Sequence, residues 1–200
     1  MTDVSEHLKT IRRTVEGDAV ILRRTYDTSI DDLWDAISNG ERIARWFLPV
    51  SGDLRLGGRY QLEGNAGGEI VACEPPRLLR VTWVIGSDAT EVEARLSTTD
   101  ADATALELIH SDVTKAQNWA QFGPGAVGVG WDLTLHGLGL HLATGAGRPA
   151  DPIAWMMSPE GKEFSTTSSD LWGEALLATG ADPGQVAAMV DETTKAYTGA

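Results

Sequence analysis

The chain has 200 residues, a formal charge of −13 and a pI near 4.6, so it is long enough for a full hydrophobic core and too acidic to favour a nucleic-acid partner. No Lys/Arg cluster makes a local basic patch, the single Cys73 excludes an internal disulfide and any CxxC motif, and no apolar run is long enough to cross a bilayer. Met1 to Asp18 is charged throughout and lacks the apolar stretch of a secretory leader, so a soluble, cytoplasmic protein with no membrane partner is expected.

Thr10–Val15 and Ala19–Tyr26 are β-prone runs around Glu16-Gly17-Asp18, which reads as a hairpin. Ser29 is an N-cap for a helix carrying Ile30, Leu33, Trp34 and Ile37 as far as Asn39-Gly40. A second short helix covers Glu41–Phe47, and Pro49 stops it by forcing Leu48 out of the helical region. From Val50 to Ser111 the punctuation changes to short β-prone runs between turns such as Gly57-Gly58, Pro75-Pro76 and Thr99–Asp102. Short connections predict an antiparallel meander, and the alternation of Val92, Ala94 and Leu96 with Glu91, Glu93 and Arg95 predicts one wet and one covered face.

Asp112–Val127 reads as a loop containing Trp119 and Phe122. Gly128–Ala143 fits both periods: Val129, Trp131, Leu133 and Leu135 alternate as in a strand, while Trp131, Leu135, Leu138 and Leu142 form one stripe on a helix. The run is too long for an ordinary strand, and Leu138, Leu140 and Leu142 break its register, so the helix is preferred. Leu133 and Leu140 would then face outward, and the helix needs partners on two sides. Thr144–Pro152 is a Gly/Pro/Ala linker, after which Ser158-Pro159 and Asp182-Pro183 each start a helix. The division expected is a domain over 1–148 and a helical extension over 149–200, docked on the domain or on a dimer partner.

Five segments together resemble a known family: Trp34-Asp35-Ala36; Glu41-Arg42-Ile43-Ala44-Arg45-Trp46-Phe47 with Pro49; Asp53-Leu54-Arg55-Leu56-Gly57-Gly58-Arg59-Tyr60; Glu74-Pro75-Pro76-Arg77-Leu78-Leu79-Arg80-Val81-Thr82-Trp83; and Gly130-Trp131. Their order and spacing resemble the activator of Hsp90 ATPase homologue 1-like branch of the START/Bet v 1-like (SRPBCC) superfamily, over about Asp18 to Ala143. The resemblance implies an α+β helix-grip fold, in which a curved antiparallel sheet wraps a long C-terminal helix, two short helices close one end, and a cavity lies between. It implies no single chemistry, because the superfamily holds carriers, receptors, cyclases and co-chaperones. Hsp90 activation is disfavoured, since Met1–Asp18 is too short to be the separate N-terminal domain that makes much of that contact in eukaryotic relatives.

The function expected is binding of a small hydrophobic molecule, with no cofactor and no metal. Trp46, Trp83, Trp119, Phe122, Trp131, Leu135 and Leu138 are candidates to line the cavity, and Gly139, beside Leu135, to leave room for ligand. His110 lies on the Leu106, Leu108 side of the last strand and would face the cavity; an enzyme of cyclase or hydrolase type would pair it with a carboxylate such as Glu69. A satisfied core histidine and a solvated strand end are the plainer readings of the two. A third function class is a co-chaperone-like or regulatory interaction module, and a homodimer is left open. His136 and His141 are five apart and do not share a helix face, which argues against zinc. Asp132 is expected to stabilise the first turn of its helix through the dipole. Gly123-Pro124-Gly125-Ala126-Val127-Gly128 matches GxGxxG, but a loop precedes it where a dinucleotide site needs a strand, so a flexible lid is expected instead.

Overall fold

The computed structural model describes residues 4–100 and 102–199, so the chain ends and Ala101, in the expected Thr99–Asp102 turn, lie outside the described residues. The chain begins with α1 (Val4–Lys9) and continues with the expected hairpin, β1 (Arg12–Glu16) and β2 (Ala19–Tyr26). Helices α2 (Ile30–Ser38) and α3 (Gly40–Trp46) follow. The Ser29 hydroxyl accepts from Asp32 N–H at the start of α2, and the Asn39 side chain caps α3 in the same way from Glu41. Six strands complete the meander: β3 (Val50–Gly52), β4 (Arg59–Leu62), β5 (Gly67–Glu74), β6 (Leu78–Ile85), β7 (Asp88–Asp100) and β8 (Ala103–Ser111).

Among the described residues the strands form one antiparallel sheet of eight, in the order β1-β2-β8-β7-β6-β5-β4-β3. Its two faces follow the alternation in the sequence. Thr104, Leu106, Leu108 and His110 of β8 are buried, while Glu107 on the other face pairs with Arg23 and Arg95. The α5 helix (Gly125–Thr144) covers the inner face.

Where a loop was expected over 112–127, the chain makes a 3-10 turn at Val113–Lys115 and a one-turn helix, α4 (Trp119–Phe122), and α5 starts at Gly125. These pieces are too short to show a helical period. The same holds for α1 and for α6 (Pro152–Met156), which lies at the end of the expected linker. The chain then ends in α7 (Pro159–Leu177) and α8 (Pro183–Thr198), capped by Ser158 and Asp182 with proline at the first helical position of each.

These last helices reach the core. Trp172 of α7 is fully buried in the same cluster as Val20, Val129 and Leu135, and Leu133 on the outward side of α5 packs against Leu8 and Phe164. The glycines of the GxGxxG segment are where this packing is closest. A Cβ on Gly125 would lie 2.8 Å from the Thr193 side chain, and one on Gly128 would lie 2.3 Å from the Trp172 indole. The segment is therefore a helix-docking seam under α7 and α8, not a lid.

Asp132 also differs from expectation. With α5 starting at Gly125 it lies two turns inside the helix, out of reach of the N-terminal dipole. Its side chain is fully buried; both carboxylate oxygens accept from Arg13 Nε, at 3.1 and 2.9 Å, and one also accepts from Ser168 Oγ and Trp172 Nε1. Arg13 in turn donates to the carbonyls of Leu8 and Ile11. One carboxylate thus joins α1, β1, α5 and α7.

Candidate functional site

The space between the sheet and α5 is a cavity of about 160 Å³. Its walls follow from two periodicities. On α5, Trp131, Leu135 and Leu138 fall on one stripe; on the strands, Tyr60, Ile70, Val81, Val92 and Leu106 occupy alternate, inward positions. Ile37 of α2 and Ile43 and Trp46 of α3 close one end. Among the residues expected from sequence, Trp46, Trp83, Trp131, Leu135 and Leu138 line this cavity. The strand positions were legible as inward-facing from their alternation, but nothing local marked them as bordering a void rather than packed core.

The lining is almost entirely apolar, and most polar atoms it contains are already engaged. Trp46 Nε1 donates to the Ala36 carbonyl at 3.0 Å, and the Tyr60 hydroxyl to the Thr82 carbonyl at 2.8 Å. Thr134 Oγ1 donates to the Gly130 carbonyl at 2.8 Å, and Ser38 Oγ to the Trp34 carbonyl at 2.7 Å. Burial pushes the Tyr60 hydroxyl well above its ordinary pKa, so it stays protonated.

The remaining expected residues lie elsewhere. Trp119 packs on the edge of the main core outside the cavity wall, and Phe122 faces α7 and α8, its carbonyl accepting from Thr193. The site beside Gly139 is filled by this chain: a Cβ there would lie 2.7 Å from the Arg24 guanidinium, which donates to the Leu135 carbonyl and lies over the Tyr26 ring. Gly139 makes room for an arginine, where room for a ligand was expected.

His110 is buried beside the cavity and does not line it. Its Nδ1 accepts from Trp131 Nε1 at 3.0 Å, which places the ring proton on Nε2, 2.8 Å from Thr90 Oγ1; that hydroxyl donates onward to the Trp83 carbonyl. Both ring nitrogens are committed, and burial lowers the pKa to about 4. Glu69 is exposed, while its neighbours Gly68 and Ile70 in β5 are buried, so its side chain leaves the opposite face of the sheet. The acid–base pair of the enzyme reading is not brought together. His136 stacks on Trp155, and His141 accepts from Arg42 and contacts the Ala146 carbonyl, so the two occupy different surroundings.

Comparison with known proteins agrees with this architecture. Residues 27–143 match the family described as activator of Hsp90 ATPase homolog 1-like protein. The crystal structure of CalU16 from Micromonospora echinospora is 35% identical with a TM-score of 0.66, covering 83% of this chain and 95% of that one. That share is more than residues 1–143 can supply, so the likeness runs into the C-terminal helices. An HSP90 activator from Plasmodium falciparum, PFC0360w, shares the fold at 19% identity and a TM-score of 0.56, over 64% of this chain and 97% of its own. The Aha1 dimer from Colwellia psychrerythraea shares it at 16% identity and a TM-score of 0.53, over 64% and 98%. No curated protein matches. The family match over more than half of the chain and the 35% identity to CalU16 over 83% of it agree: the chain belongs to the activator of Hsp90 ATPase homolog 1-like family.

Proposed function

We propose that the chain binds a small apolar molecule in the cavity between sheet and α5, and acts as a carrier or sensor rather than as a catalyst. The observation that carries this reading is an apolar cavity of about 160 Å³ whose polar lining atoms are largely satisfied by the protein itself. Engineered apolar cavities of about 150 Å³ stay dry and take up benzene, so this volume suits one aromatic ring or a short branched chain. Against catalysis stand the two committed nitrogens of His110 and the placement of Glu69 on the other face.

Fluorobenzene titrated into the full chain and followed by ¹⁹F NMR tests the reading. Saturable binding that Ala94→Phe abolishes, by filling the cavity from β7, is the expected result. Absence of binding, or binding indifferent to Ala94→Phe, overturns it. Native mass spectrometry of the purified protein, followed by denaturing extraction, then identifies any resident compound.

A further inference from the structure

The outer face of α5 carries a second hollow, larger than the first. It has a volume of about 540 Å³ and lies between α5, the end of α3, and the linker and α6 that follow α5. Its volume falls within the roughly 300–1,000 Å³ of ordinary small-molecule sites, which the inner cavity does not reach. Phe47, Leu140, Pro149, Trp155 and Met156 supply most of an apolar surface. Trp155 is a rigid part of that wall, stacked on His136 at 6.3 Å and edge-on to Phe164 at 6.0 Å.

Arg148 is a cation in this wall. It is exposed, and among the described residues its guanidinium meets no carboxylate. His136 Nδ1 is buried and bonded to nothing, and being closed to solvent it is out of reach of a ligand in the groove. Glu160 and the Asn65 amide are the other ionic or amide groups of the wall. A guanidinium offers a planar pair of donors that matches a carboxylate. A wholly apolar ligand would leave the guanidinium without a partner in the groove.

We propose that this groove is a second ligand site, for an amphipathic monocarboxylate whose apolar body lies on Trp155, Leu140 and Met156 and whose carboxylate meets Arg148. The groove shares Trp46, Phe47 and Thr134 with the inner cavity as a common wall, and needs no occupant there. The net charge of −13 repels anions at long range, so the apolar body supplies most of the affinity and Arg148 supplies the selection of head group.

Dodecanoate, dodecanol and dodecylammonium, each below its micelle concentration, are titrated into the full chain and followed through the tryptophan indole resonances in ¹H–¹⁵N spectra. Trp155→Phe and Trp83→Phe identify the two reporters. Dodecanoate is expected to move the Trp155 resonance and to bind about ten-fold more tightly than dodecanol, as a charge-assisted hydrogen-bonded pair implies. Arg148→Gln is expected to bring dodecanoate to the level of dodecanol. Arg148 is exposed on the linker and its backbone N–H bond to the Arg45 carbonyl is retained, so this variant keeps its fold. The proposal is overturned if dodecylammonium binds as tightly as dodecanoate, if the carboxylate preference survives Arg148→Gln, if the response appears at Trp83 and not at Trp155, or if Trp155 is buried in a self-associated form that excludes all three probes.

Discussion

Trp131 of α5 donates its indole N–H to Nδ1 of His110 in β8 at 3.0 Å, and this one bond ties the long helix to the centre of the sheet. Trp83 completes the contact, with ring centroids 5.1 Å from Trp131 and 6.2 Å from His110. The histidine thereby serves as an acceptor for a buried indole that would otherwise be unsatisfied, and the indole fixes the histidine's tautomer. The two side chains hold each other in place at the edge of the cavity.

Acid should therefore destabilise the fold through His110. Its folded pKa of about 4 lies below the ordinary 6.5 of the unfolded chain, so the unfolded state takes up protons first as pH falls. The stability is whole above about pH 6.5 and is lost between there and about pH 4, by about 3 kcal/mol for this group alone. His136, also lowered to about 4, adds a loss of the same sign. Urea denaturation at pH values across this window should show the fall, and the doubly substituted His110→Asn, His136→Phe protein should show a flatter profile. Asn at 110 still offers an acceptor to Trp131. An unchanged slope in that protein would refute the assignment.

Asp132 and Arg13 form a buried pair, 0% and 4% exposed, and removing either partner strands the other. Asp132→Ala should cost about 3–5 kcal/mol, measured by chemical denaturation, because it also frees Ser168 and Trp172. A joint Asp132→Leu, Arg13→Met substitution should recover much of the loss, since neither charge is then left unpaired. Equal destabilisation by the single and joint changes would mean that the charges themselves are not what holds the segments together.

The sheet was legible in the sequence because each strand states its own inward face: Leu106, Leu108 and His110 alternate with Glu107 and Ile109 whatever lies around them. The stripe of Trp131, Leu135 and Leu138 was legible for the same local reason. Asp132 was not. Its partners lie 119, 36 and 40 residues away, at Arg13, Ser168 and Trp172, and no period within α5 refers to them. The glycines of 123–128 misled for a related reason. Glycine signals either a bend or a close approach, and only the position of Trp172 and Thr193 decides which. Arg24 likewise fills the place beside Gly139 from a strand more than a hundred residues earlier in the chain.

Gly128→Ala tests the docking seam. Its Cβ would sit 2.3 Å from the Trp172 ring, closer than any relaxed contact, and a buried indole has no space to retreat into. Overpacking of this kind costs about 1–3 kcal/mol. Thermal or chemical denaturation should show the loss, and Trp172→Phe in the same chain should relieve part of it by removing the ring atoms in collision. If Gly128→Ala is harmless, the glycine is not there for α7. Deleting residues 150–200 makes a complementary test: with Trp172 and Phe164 gone, the chain should bind hydrophobic dyes and melt lower.

Leu135→Ala separates the cavity's role in stability from its role in binding. Leu135 is 1% exposed, lines the inner cavity and belongs to the main core, so its truncation should cost about 2–5 kcal/mol. The same change adds the volume of the lost side chain to a space of about 160 Å³. Apolar probes larger than a single ring, such as naphthalene, should then bind more tightly to the variant than to the parent, and saturating probe should restore part of the melting temperature through linkage. A variant that is destabilised but no more receptive to naphthalene would show that the neighbouring side chains collapse into the vacated space. Binding of single-ring probes by the parent chain would then have to carry the carrier reading alone.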